Sequence, residues 1–130
     1  MAREFSRTQR VADQLQRELA QLIQFQVKDP RMGMVTVSAV KISKDLSYAD
    51  VYVTVLPIGD QDEAECIKAS VDVLNNAAGF LRHELATLIK LRILPHLRFH
   101  YDESVERGRR IHSLIEKAYQ REQQDSDNEE

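Results

Sequence analysis

Apolar residues at Val11, Leu15, Leu19, Leu22 and Ile23 recur at spacings of three and four, the single stripe of an amphipathic helix. Ser6-Arg7-Thr8-Gln9 fits a capping box and predicts the helix start there. Pro30 and Gly33 predict its end near Val27, because the residue before a proline avoids helical angles. The period then falls to two. Val35 and Val37 alternate with Thr36 and Ser38, after which Val40 and Ile42 take the opposite phase. That flip at Ala39 predicts a β-bulge, since one extra residue moves every later side chain to the other face. Lys44-Asp45-Leu46-Ser47 reads as a turn, and Val51, Val53 and Val55 alternate with Asp50, Tyr52 and Thr54, which completes an antiparallel hairpin. Asp60-Gln61-Asp62-Glu63 caps a second helix whose expected buried stripe is Ala64, Ile67, Val71, Leu74 and Ala78. Gly79, preceded by Asn75-Asn76, interrupts a helical pattern that resumes with Leu81, Leu85, Leu88 and Ile89, so a kink into a third helix is expected. Leu97, Phe99 and Tyr101 alternate with Arg98 and His100 as a third strand. Ile111, Leu114, Ile115 and Ala118 mark a last helix over 104–119, weakened by Gly108 and labile without a partner. The crossover through two helices lets the third strand pair parallel to the second. The fold expected is α+β, a three-stranded mixed sheet with helices on one face.

Composition narrows the picture. With 130 residues, 15.0 kDa and 42% apolar residues, the chain amounts to one domain with one core. Cys66 is the sole cysteine, which excludes a disulfide framework and a cysteine-rich zinc site. No apolar run approaches the ~20 residues of a membrane helix, and the N-terminal residues lack a signal core, so a reduced, cytoplasmic setting is expected. Net charge is −3, but residues 122–130 hold five acids and no base; the other residues carry 18 bases against 16 acids. The division expected is a 1–119 domain followed by a disordered acidic tail over 120–130.

The remaining bases are segregated. Arg3, Arg7, Arg10, Gln14, Arg17, Gln21, Gln24 and Lys28 follow one another at steps of three and four, a ridge along the first helix with no acid on it. Cations spaced by glutamines suit a phosphate backbone as well as they suit an ordinary solvated face. Around the expected kink, Ala77-Ala78-Gly79-Phe80 offers first-turn amides and a glycine that lets a sugar-phosphate chain come close. Arg82, Lys90 and Arg92 follow as candidate phosphate partners, and Lys28 and Arg31 extend the ridge as a second zone. Such contacts position a protein on RNA without reading bases, so specificity falls to RNA shape.

Two other readings use other residues. His96, His100 and His112 with Asp102 could be the ligands of a metal-dependent RNase, but no helix fixes the spacing of His96 and His100. No Gly-x-Ser-x-Gly motif is present, and Cys66 reads as a small core residue. Tyr48 and Tyr52 could instead serve a protein-interaction or dimerisation edge.

The sequence resembles the ribosome-binding factor A family over about residues 3–117. The resemblance is carried by Ser6-Arg7-Thr8-Gln9-Arg10-Val11, Asp29-Pro30-Arg31, Ala77-Ala78-Gly79, Leu81-Arg82-His83-Glu84-Leu85 and the run Leu91 to Ser104. It implies a type II KH-like domain in which an Ala-x-Gly kink replaces the Gly-x-x-Gly loop; here glycines 33, 59, 79 and 108 nowhere form Gly-x-x-Gly. It further implies a monomeric, cofactor-free and non-enzymatic factor. Such a factor binds the free small ribosomal subunit and its rRNA, assists late maturation and processing, and acts in cold adaptation.

Overall fold

A computed structural model describes the backbone of residues 2–128 and the side chains of residues 7–104, 107, 108 and 110–123. Helix α1 spans Ala2–Gln26, strand β1 Met34–Ile42, β2 Tyr48–Leu56, helix α2 Glu63–Asn76, α3 Ala78–Leu88, strand β3 His96–Tyr101 and helix α4 Ser104–Asn128. The strands lie in the order β1-β2-β3, with β1 antiparallel and β3 parallel to β2. Helices α1, α2 and α3 pack on one face of the sheet.

The core sits between these layers. Leu15, Leu19, Val51, Val53, Leu74, Leu81 and Leu85 are almost wholly buried, with Ala49, Leu97 and Phe99 completing the sheet side. The expected bulge is present, but the extra residue is Ser38, between the pairs Val37↔Val53 and Ala39↔Tyr52. Its hydroxyl lies 2.6 Å from Asp102 Oδ2 and 3.1 Å from the Tyr52 carbonyl, which fixes the bulge one position earlier than the pattern suggests. In the hairpin turn Leu46 takes φ of 61°. Asp45 organises that turn by accepting from both Ser43 Oγ and Ser47 Oγ, bonds that hold its carboxyl down at about 2.

Three other expectations change. Helix α1 begins at Ala2, ahead of the Ser6 box, because nothing in Ala-Arg-Glu-Phe breaks a helix. The buried line of α2 is Cys66, Ser70, Val73 and Leu74; Ala64 is exposed, and Ile67 and Val71 are half-buried. Ser70 is fully buried because its Oγ accepts the Gly33 amide proton at 3.0 Å. The last helix, α4, continues to Asn128 through most of the stretch whose charge predicted disorder. Glutamate and glutamine are good helix formers, and that local preference runs through the acidic stretch. Its apolar residues Ile111, Leu114, Ile115 and Tyr119 are nonetheless exposed.

Candidate nucleic-acid interface

The break between α2 and α3 falls at one residue. Ala77 has φ −88° and ψ 0°, and it is at once the C-cap of α2 and the N-cap of α3. Its amide is shared between the carbonyls of Val73 (2.9 Å) and Leu74 (3.1 Å), and its own carbonyl accepts from Leu81. No side chain caps α3, so its N-terminal amides keep the partial positive charge of a helix start. Ala77 and Ala78 are half-buried, while Gly79 and Phe80 are exposed. Gly79 lies inside α3, two residues past the break. A Cβ built on it would meet nothing within 4 Å. It is therefore neither a packing glycine nor one required by a left-handed backbone; its effect is to leave the surface bare beside the helix start.

One side chain, that of Asn75, holds this junction on the sheet. Asn75 donates from Nδ2 to the Phe99 carbonyl (3.1 Å) and accepts the Phe99 amide proton (2.9 Å). It thus pairs with the free edge of β3 as a neighbouring strand would. Replacing Asn75 by alanine is expected to cost about 2–3 kcal/mol, two bonds lost and two part-buried backbone groups left without partners. Urea unfolding of the variant measures this. On the other flank Gln16 Nε2 reaches the Val37 and Ser38 carbonyls (3.3 and 3.4 Å), covering the β1 edge at the bulge.

The expected cations fall into separate groups. Arg7, Arg10 and Arg17 are exposed along α1 and Lys28 is exposed just past its end, and among the described residues none of the four is paired with a carboxylate. The side chain of Arg3 lies outside the described residues. Arg31 does not extend that free ridge: its guanidinium grips Asp29 at 2.8 and 3.0 Å, and this grip with the Arg31 amide holds the Asp29 carboxyl down at about 2. Arg82 is one turn from Gly79 but half-buried, with Nε and Nη2 donating to the Leu94 carbonyl (3.3 and 2.8 Å). Its first task is to tie α3 to the approach of β3. Lys90 and Arg92 are exposed, but they follow the C-terminal end of α3. At the helical rise, the Gly79–Leu88 span alone separates them from the junction by about 14 Å. The structure therefore has one bare junction and two free basic zones, rather than one cluster.

The histidines do not converge. His100 Nε2 lies 2.8 Å from Asp50 Oδ1 on the sheet, whereas His112 meets Glu116 on α4. Among the described residues no group of three or more His, Cys, Asp or Glu could hold a metal ion. Among the same residues no helix is long and apolar enough to cross a membrane.

The sequence model of the family described as ribosome-binding factor A matches residues 7–115. The chain belongs to the ribosome-binding factor A family. The family member from Hahella chejuensis is 62% identical over 128 residues, 98% of this chain and 95% of that protein. The one from Chromohalobacter salexigens is 62% identical over 116 residues, 89% and 86% of the two chains. Among solved structures, ribosome-binding factor A from Thermus thermophilus matches with a TM-score of 0.60 and 34% identity, over 75% of this chain and 97% of that one. Coordinates of the Thermus thermophilus factor fitted into an electron cryo-microscopy map of a 30S–RbfA complex match at 0.57 and 34%, over 71% and 91%. The α+β architecture is thus that of solved ribosome-binding factor A structures, and its helix junction carries Ala-Ala-Gly where the sequence resemblance placed it.

Proposed function

We propose that this chain binds the free small ribosomal subunit in the cytoplasm by docking on the rRNA backbone. Without breaking bonds, it assists late maturation and processing of that RNA, with its largest effect in the cold. The observation that carries the reading is the exposed, acid-free ridge of Arg7, Arg10, Arg17 and Lys28 on a member of this family. The bare start of α3 at Ala78-Gly79-Phe80 supplies a second point of approach, made of backbone amides rather than side-chain cations, and Lys90 and Arg92 a third zone. A factor that prefers one RNA arrangement shifts the population toward it by the difference in binding free energy, with no nucleotide consumed. Cold suits such a role because alternative RNA helices then persist longest.

Salt dependence and one substitution test the reading. If the four ridge cations with Lys90 and Arg92 meet about six phosphates, raising salt fourfold should weaken binding to purified free small subunits by about three orders of magnitude. Flat salt dependence defeats the proposal. Gly79→Leu should leave thermal stability unchanged or slightly raised, since leucine favours helix and its Cβ meets nothing within 4 Å. The same change should weaken subunit binding about tenfold by holding the RNA backbone away.

A further inference from the structure

The face of the sheet turned away from the helices carries an ordered array that backbone docking leaves unused. Strand register places Tyr48 beside His96, Asp50 beside Arg98 and Tyr52 beside His100, three successive rows on one face. The rings are already paired: Tyr48 and His96 centroids lie 5.8 Å apart, Tyr52 and His100 5.3 Å. The Arg98 guanidinium lies 4.4 Å from the Tyr48 ring centre, and Lys41 Nζ 5.5 Å from that of Tyr52. Tyr48, His96, Arg98, His100 and Lys41 are open to solvent, with the Tyr48 residue 43% exposed and the Arg98 and His100 side chains 52% and 44%, while Tyr52 is half-buried. Such rows brace a sheet, but bracing does not require π-faces and cations together at the surface.

A cation stands beside each tyrosine ring on these rows. Lys41 and Arg98 are the cations here; the Asp102 carboxylate is held by Ser38 and lies near Lys41, and the other carboxylate is that of Asp50. That carboxylate is occupied: Arg98 grips both its oxygens (2.9 and 3.2 Å), and His100 meets Oδ1 at 2.8 Å. Two ring pairs four residues apart along a strand are separated by about 13 Å. Exposed aromatic rings interleaved with cations bind unpaired nucleobases by stacking, with little dependence on sequence.

From this we infer that the open face of β2 and β3 is a stacking platform for unpaired bases of single-stranded RNA, with Tyr48 and Tyr52 as its two anchors. The inference rests on the chain being an RNA-binding factor and adds a second mode, in which bases are held on the sheet while the helical side holds phosphates.

The test uses the full chain, a mixed-sequence single-stranded RNA 12-mer, and an abasic sugar-phosphate 12-mer of equal charge, read by tyrosine fluorescence and anisotropy. The wild type should prefer the base-bearing oligomer by tenfold or more. Joint Tyr48→Ala and Tyr52→Ala replacement should abolish that preference, while Tyr48→Phe with Tyr52→Phe keeps it. Neutralising Arg7, Arg10 and Arg17 should weaken both oligomers alike and keep the preference, so failure of backbone docking and failure of the platform give different results. Equal binding of the two oligomers by wild type overturns the platform. So does a tyrosine-dependent dimer in sedimentation that excludes RNA. Should the alanine pair not fold, ring-proton shifts of His96 and His100 during wild-type titration decide: base-dependent movement supports the platform, and no movement overturns it.

Discussion

Replacing Arg7, Arg10 and Arg17 together by glutamine is expected to lower affinity for the free small subunit by two to three orders of magnitude at about 0.1 M salt. Each phosphate-bound cation releases about 0.7–0.9 of a counterion, so at that salt each contact contributes close to a tenfold gain. Losing three should also flatten the salt slope by about three. All three side chains are exposed and bond no described residue, so stability should change by no more than about 0.5 kcal/mol. Filter binding across a salt series, with urea unfolding of the same variant, separates the two quantities. Unchanged affinity would mean that the ridge faces solvent on the subunit too.

Gly33→Ala should be the most damaging small change in the fold. An added Cβ would lie 2.6 Å from the Leu56 carbonyl oxygen, 2.7 Å from Cys66 Sγ and 3.1 Å from Val55 Cγ1. The carbonyl belongs to the last residue of β2 and cannot rotate aside as a side chain would. The same glycine donates its amide proton to the buried Ser70 Oγ, so a shift that relieves the clash strains this bond. Overpacking of this kind costs about 3 kcal/mol, a large part of a domain's stability. The urea midpoint of Gly33→Ala measures it. Ser70→Ala, which strands the Gly33 amide without the clash, should cost about 1–3 kcal/mol.

Strands and helices were legible where one side chain's environment repeats along its own element. Val51, Val53 and Val55 alternate because the sheet is covered on one side only, and the phase flip in β1 betrays an inserted residue. What pairwise contacts decide was not legible. Ser70 is polar and reads as surface, yet it is buried by a bond to Gly33, 37 residues away. Asn75 looked like a helix-weakening residue and instead clamps the edge of β3. The candidate site divides in the same way. The α1 ridge could be read because helical periodicity alone places its residues together. Arg82, Lys90 and Arg92 stand close in sequence, but α3 intervenes as a rigid spacer and Leu94 claims the Arg82 guanidinium. The tyrosine–histidine rows arise from parallel register between strands separated by two helices, which local spacing does not encode.

The joint between α2 and α3 is one residue long, with Asn75 anchored just before it and Leu81 buried just after. One added amino acid at this point would rotate all of α3 by about 100°, turning Leu81 and Leu85 out of the interior and carrying Gly79 round with them. Chain length here is therefore locked to angular phase: the opening offered to RNA and the packing of the protein interior can be changed only together.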